Sequence, residues 1–600
     1  MLVGSFDNPS QVCSTDVSSL STCTVAVLGC GPGGMSFLHA VATKRKEYEE
    51  ANDIEGLMKL PKVTVFEKAS APGGVWRADR HCTNSDESSS SSNGNMYEGL
   101  WINGHKDGME YFDYTFQEHF QNEPQPVYLP RQQILDYIMA RVTKHEDIFQ
   151  HVKFNTKVNS VRYDEEDEEF DISYVDADNE TCNERFDKCI WACGLNGKPN
   201  MPPEVLKNLE GFQGDIVHSS QINKLLGSCS SETKGDNGIK DKRVLMIGDS
   251  YSAEDLALQC IKMGVKDVYM TTRKSEGSAS YMGSWPLDKV DILWYSKVSG
   301  IKNDGTRKTI TFDSLNEDYP TADLEQVDII ILCTGYNPTF DCLEEKLRPW
   351  KESEEEYNYW CMEDIGESTD HWKMRENCLS SDLGNVIPSK ELSMNSDYVY
   401  EKSYRNLSID YPSMMFISET TSYPLLDIDV CAWQCLAYIT GESIIPTKEE
   451  MLKANQRDCL ELMHELNERY ELDENFKKAW CELPDGHWTK DTSSEEYKQY
   501  MLESYSWEIR WLARKMNDAK YPITFGDEKE LNKMGVRFLN MMVADCRGRY
   551  LLELCDEDTM AWKTFRDIEP SQFCSFLTDM GSTHLKGRWM DIDDEGNVIN

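Results

Sequence analysis

The residues best suited to chemistry lie in two glycine-centred turns. The first is Thr24-Val-Ala-Val-Leu-Gly-Cys-Gly-Pro-Gly-Gly-Met35, followed some thirty residues later by Lys62-Val-Thr-Val-Phe-Glu67. A β-branched apolar run feeds Gly29-x-Gly31-x-x-Gly34, a helix pattern follows, and a second apolar strand ends on an acid. Gly29 permits a tight strand-to-helix turn and Gly31 lets the backbone approach a pyrophosphate. Gly34 allows close helix–sheet packing, and Gly33 lies between them at the helix N-terminus, where free N–H groups face the phosphates. Glu67 can hydrogen-bond a ribose hydroxyl, although Lys44 to Leu60 lengthens the crossover beyond its usual span. Further on, Gly73-Gly74 offers backbone approach to the same ligand.

The second turn is Lys242-Arg-Val-Leu-Met-Ile-Gly248-Asp-Ser250-Tyr-Ser252-Ala253-Glu-Asp255. Ser250 stands at the second glycine position and Ala253 at the third, both small enough for phosphate approach. The next strand, Val268-Tyr-Met-Thr-Thr-Arg273, ends on Arg273-Lys274 where an acid would grip a 2′-hydroxyl. Cations there suit a 2′-phosphate and so NADP(H) rather than NAD; the plainer reading of Arg273 is a solvated strand end. One FAD site and one NADPH site in a single chain is the pattern of a flavoprotein oxidoreductase.

The remaining chain must position these turns. Six hundred residues allow a large core and more than one domain. No run of about 18 apolar residues exists, so no membrane span is expected, and the Ser-rich first twenty residues carry no secretory pattern. Twenty cysteines are scattered without a Cys-x-x-Cys, which argues against zinc pairs and a dithiol centre and fits a reducing, cytoplasmic compartment. The formal charge of −43 argues against nucleic acid and anionic membranes and reads most simply as a solvated surface. No metal site is expected.

The expected fold is α/β, with two Rossmann-like dinucleotide-binding domains and a mainly helical C-terminal extension. Residues 1–21 form a disordered tail, and 22–200 with 327–455 make a discontinuous FAD domain. An NADPH domain at 201–326 interrupts it, and 456–600 is the helical C-terminal region. The interruption is read from Ile190-Trp-Ala-Cys-Gly194 and Ile329-Ile-Ile-Leu-Cys-Thr-Gly-Tyr336, two strands that end alike on either side of the second turn. Asp86 to Asn95 reads as a serine-rich surface loop, Arg131 to Val142 as an amphipathic helix, and Val152 to Cys193 as an antiparallel meander with an acidic hairpin.

Taken in order, these motifs resemble the flavin-containing monooxygenases, the soluble bacterial trimethylamine-oxidising branch above all. The resemblance runs over roughly 22–455. It rests on Gly29-Cys-Gly-Pro-Gly-Gly34, Phe66-Glu-Lys68, Gly73-Gly-Val-Trp76, Met96-Tyr-x-x-Leu-Trp-x-Asn-Gly104, Asp113-Tyr-Thr-Phe-x-Glu-His-Phe120, Gly248-x-Ser-Tyr-Ser-Ala-Glu-Asp255 and Cys333-Thr-Gly-Tyr336. Phe212-x-Gly214-x-x-x-His218 resembles the family's identifying sequence, with Ile222 where its last aromatic would stand. Ser422, beside Tyr423, occupies the place of an aromatic that helps cage a methylated amine.

The resemblance implies that Glu67, Gly74 and Trp76 hold FAD, with Val158 along the adenine. Asn103 would lie near flavin and nicotinamide and protect the oxygenated flavin; a buried, locally bonded Asn is the alternative. Tyr251, Ser250 and Ser252 would contact NADP⁺, with Arg273 at its 2′-phosphate, while His218 is expected to be structural. The implied reaction is NADPH- and O2-dependent, through a C4a-hydroperoxyflavin, giving N- or S-oxygenation of a small amine or sulfide. A Baeyer–Villiger ketone oxygenase, a flavin-dependent disulfide reductase and a non-catalytic nucleotide-binding scaffold are the rivals. Residues 456–600 are left two roles, capping the site or mediating a homodimer.

Overall fold

The computed structural model describes residues 23–77, 106–121, 129–194, 197–222, 239–249, 251–273, 290–303, 308–337, 339–349, 402–418, 423–455, 511–512 and 514–522, with isolated residues and short strands between them. The expected tail at 1–21 and the serine-rich stretch at 86–95 lie outside the described residues.

Short β-branched runs build the parallel part of a first, seven-stranded sheet. Strand β1 (Thr24–Leu28) turns into helix α1 (Pro32–Glu50), where Pro32 sits at the helix start and contributes a preset φ. The chain returns in β2 (Lys62–Phe66), paired parallel with β1 from Thr24↔Lys62 to Leu28↔Phe66. Helix α2 (Arg131–Val142) leads to β3 (Val152–Lys153) at one edge, and β4 (Lys188–Trp191) pairs with β1 on the other side. Between β3 and β4 lies the expected meander, Lys157–Asp164, Glu169–Val175 and Thr181–Phe186, all antiparallel.

A second, five-stranded parallel sheet contains β5 (Asp215–His218), β6 (Arg243–Ile247), β7 (Asp267–Thr271), β8 (Val290–Leu293) and β9 (Ile329–Leu332), with helix α3 (Tyr251–Lys262) after β6. The sequence places β9 at the start of the second FAD segment. It instead lies between β6 and β5, paired parallel with both. Its run of isoleucines fits that central position, buried on both faces. The chain then re-enters the first sheet through short antiparallel strands at Ser403–Tyr404 and Leu407–Ser408 and through β10 (Met414–Phe416), which pairs parallel with β4; helix α4 (Pro424–Thr440) follows, capped by Gly441 at φ 76°.

Strand periodicity assigns the cores. On β1, Val25 and Val27 face the apolar cluster under α1 and α4, while Ala26 and Leu28 face Phe170, Ile172 and Phe186 of the meander. On β6, Val244 and Met246 face α3, and Leu245 and Ile247 face the opposite cluster. Both central strands are therefore covered on both sides.

Of the expected helical C-terminal region, residues 511–512 and 514–518 are helical; short antiparallel strands lie at Cys555–Asp556 and Ala561–Trp562.

Candidate functional site

Both glycine turns sit at the carboxyl ends of central parallel strands, where open α/β sheets bind ligands. At the first, Gly29 has φ +98°, and a Cβ there would stand 2.9 Å from the Ala192 carbonyl at the end of β4. A Cβ on Gly34 would stand 2.1 Å from the Gly29 carbonyl, so only hydrogen fits between helix and turn. Gly33 is less tight, its Cβ position 3.1 Å from the Ile417 Cγ2. Gly31 differs: its Cβ position meets the Gly74 Cα at 3.5 Å, ordinary van der Waals contact. Two bare backbones, Gly31 and Gly74, thus face each other across the turn. That cradle fits a pyrophosphate, because neither residue carries a side chain and the α1 N–H groups remain available.

Glu67 ends β2 with only 6% of its surface exposed. Its Oε2 accepts from the Cys30 N–H at 2.7 Å and its Oε1 from the Ala69 N–H at 2.8 Å. The acid therefore braces the glycine turn itself, and each oxygen keeps a further lone pair for a ribose hydroxyl. Burial, then the Glu67 charge, pushes the neighbouring Cys30 thiol far above the usual thiol range. Trp76 is buried, and its carbonyl accepts from the guanidinium of Arg131, itself buried. Val158 is half-buried on the meander opposite Tyr174.

At the second turn, Gly248 has φ +110°, and a Cβ would stand 2.4 Å from the Cys333 carbonyl at the end of β9. Gly248 beneath Cys333 repeats Gly29 beneath Ala192. Ala253 is buried in the α3 core, Ser252 is exposed, and Arg273 projects into solvent just past β7. Tyr251 begins α3. Asn103, Ser250 and Ser422 fall outside the described residues.

The segments that follow the strands beside the two turns meet. The chain segments leaving Ala192 and Cys333 pair antiparallel, Lys198 with Asn337 and Pro199 with Tyr336. Asn200 Nδ2 donates to the Thr334 carbonyl at 3.1 Å, and Thr334 Oγ1 donates to the Asn200 carbonyl at 2.6 Å. His218 is held between Ser220 and the Gly335 carbonyl, 2.9 Å from its Nε2. Burial keeps its pKa below the usual histidine value, as suits a structural imidazole.

Sequence reasoning missed a charged layer behind α4. Asp427 and Asp429 are wholly buried in an otherwise apolar helix. Lys515 donates to Asp427, Tyr521 Oη donates to Asp429 Oδ2 at 2.6 Å, and Arg141 from α2 grips Asp429. Two acids in the run Leu425-Leu-Asp-Ile-Asp-Val430 were the available signal, since unpaired buried carboxylates are not tolerated. Among the described residues no group of His, Cys, Asp and Glu could hold a metal, and no helix is long and apolar enough to cross a membrane.

Fold and turns together define an α/β chain with the fold of the flavin monooxygenases. Residues 23–295 match the family described as flavin-binding monooxygenase-like. The trimethylamine monooxygenase of Pelagibacter sp. (strain HTCC7211) is 33% identical over 326 residues, 54% of this chain and 63% of that protein. That of Roseovarius nubinhibens is 35% identical over 325 residues, with the same two shares. This chain thus spans less than two thirds of the length of these curated relatives. Among solved structures, Tmm from Pelagibacter sp. strain HTCC7211 superposes with a TM-score of 0.56 at 23% identity, covering 86% of this chain and 89% of that one. S-allyl-L-cysteine S-oxygenase from Allium sativum does so with a TM-score of 0.54 at 17% identity, covering 93% and 98%. The motif-based resemblance to flavin-containing monooxygenases is borne out.

Proposed function

We propose that this protein is an FAD-dependent, NADPH- and O2-consuming monooxygenase that oxygenates a soft nucleophile, a small amine or sulfide. The carrying observation is the repeated geometry of the two turns, Gly29 under Ala192 and Gly248 under Cys333, beside one pair of crossover segments. Each turn would cradle one dinucleotide in its own Rossmann-like domain. The domain around β1 would bind FAD, and the one around β6 would bind NADPH.

When bound, flavin reduced by the nicotinamide supplies the redox and dioxygen chemistry. The protein's residues bind, orient and exclude water. Gly31, Gly33, Gly34 and Gly74 admit the FAD pyrophosphate, Glu67 holds its ribose and braces the turn, Trp76 closes the pocket wall, and Val158 lines the adenine. Gly248, Ser250, Ser252 and Ala253 admit the second pyrophosphate, and Arg273 carries the charge for a 2′-phosphate. Asn103 and Tyr251 are assigned to the flavin–nicotinamide contact, where they keep water from the reacting atoms. Neutral amines and sulfides fit this chemistry because they present a lone pair without needing an acid, base or metal. The ten cysteines described carry free thiols, which supports a cytoplasmic setting.

The test is direct. Purified protein should be yellow and should oxidise NADPH faster when trimethylamine or a dialkyl sulfide is added, with N-oxide or S-oxide matching NADPH consumed. A colourless protein that takes up no flavin rejects the reading. Lactone formation from a cyclic ketone, without amine or sulfide oxidation, replaces it with Baeyer–Villiger chemistry.

A further inference from the structure

The second turn and the end of β7 are tied together by a side chain. Asp249, directly after Gly248, accepts from Thr272 Oγ1 through its Oδ2 at 2.7 Å. Thr272 is 2% exposed and directly precedes Arg273. Its own backbone is fixed on the far side. The Thr272 N–H donates to the Leu293 carbonyl at 3.1 Å, and the Ser296 N–H donates to the Thr272 carbonyl at 2.8 Å. The turn end is fixed as well, because Gly248 lies against Cys333 with no room for a side chain.

A dinucleotide bound here would place its pyrophosphate at the turn and its adenosine 2′ position at the strand end. The gap between these two points decides whether Arg273 reaches a 2′-phosphate. Strands β6 and β7 pair in parallel up to Ile247↔Thr271, and just past that last pairing the Asp249–Thr272 bond ties the turn to the strand end. We propose that Asp249 is a positioning residue for 2′-phosphate recognition, holding the Arg273 strand end at the required distance through Thr272. This rests on the NADPH reading of the second turn. What matters is the acceptor oxygen rather than the charge, because a carboxylate near a 2′-phosphate repels it slightly while the hydrogen bond orders the strand end.

The test titrates the flavin-loaded protein with 2′,5′-ADP and with 5′-AMP by calorimetry, so that the 2′-phosphate is the only difference between ligands. Wild type should prefer 2′,5′-ADP. Asp249→Ala should cut that preference about tenfold while leaving 5′-AMP affinity within about twofold. Thr272→Val should match it, and the double variant should fall no further than either single one. Asp249→Asn, which keeps an acceptor oxygen, should retain the preference. Equal weakening of both ligands by Asp249→Ala would show only general damage to the turn and overturns the proposal. An Asp249→Asn variant as poor as Asp249→Ala also overturns it, because the charge would then be the active feature. Wild type with no preference rejects the NADPH reading along with it, whereas a preference untouched by Asp249→Ala rejects this inference alone.

Discussion

Arg141 holds Asp429 with both guanidinium amino groups, Nη1 to Oδ1 and Nη2 to Oδ2 at 2.9 Å each, where the two side chains are 1% and 0% exposed. Its Nε donates to Asp113 at 2.8 Å, and its Cζ lies 4.0 Å from the centre of the Tyr111 ring. Burial pulls against the guanidinium charge, but Asp429 and Asp113 outweigh it and hold Arg141 protonated. The pair joins α2 to α4, on the side of the first sheet that α1 covers.

Breaking this pair from one side should be far worse than removing it. Arg141→Met leaves a carboxylate buried and should cost roughly 3–5 kcal/mol. Adding Asp429→Leu should recover much of that, because an apolar pair carries no uncompensated charge. Chemical denaturation of the two variants decides it, and equal losses would mean that packing around Tyr111 dominates.

The C-terminal segment should behave as part of the core. Lys515 meets Asp427, Tyr521 meets Asp429, Arg405 pairs with Asp518, and Ser443 Oγ donates to the Asp518 carbonyl at 2.6 Å. A chain ending at residue 510 would leave two buried acids on α4 without these partners. We expect it to melt well below the full chain or to aggregate on expression. Unchanged thermal stability would make the segment an accessory.

The glycines should separate structure from binding. Gly248→Ala forces a Cβ to 2.4 Å from a carbonyl at φ +110° and should destabilise the fold by more than about 1 kcal/mol. Gly31→Ala meets only a 3.5 Å contact with Gly74. It should leave the melting temperature of the flavin-free protein nearly unchanged while filling the space a pyrophosphate needs. Measured flavin content after reconstitution should therefore fall sharply in Gly31→Ala; full occupancy would move the cradle elsewhere.

His39 should make the protein acid-sensitive. Burial above all, then the charges of Arg141, His145 and Lys144, lowers its pKa to about 2. Asp113 lies 3.7 Å away but is committed to Arg141. With the folded pKa far below the unfolded value of about 6.5, the unfolded chain binds the extra proton. Stability is therefore intact above about pH 6.5 and falls as pH drops, by about 2 kcal/mol at about pH 5 from this residue. His39→Gln should flatten that part of the profile in denaturation curves at the two pH values; parallel profiles would mean His39 is protonated in the fold.

The glycine turns, the acid after β2 and the helix at Arg131–Val142 were legible in the chain because their requirements are local. A φ near +100° or a two-residue alternation shows in adjacent residue types. The home of Ile329–Leu332 was not legible, because four aliphatic residues fit the centre of either sheet and only backbone pairing chooses. The braced state of Glu67 was hidden for a similar reason: its acidic type announces a ribose partner, and its contact with Cys30 appears only when the turn is folded.

By itself, then, the sequence determined where two glycine-centred turns form and which strands flank them. The tertiary structure alone decided which distant charges meet. Arg141 and Asp429 are 288 residues apart, and Lys515 and Asp427 are 88 apart. No local rule pairs them, since a buried charge is satisfied by whichever opposite charge the folded chain brings to it.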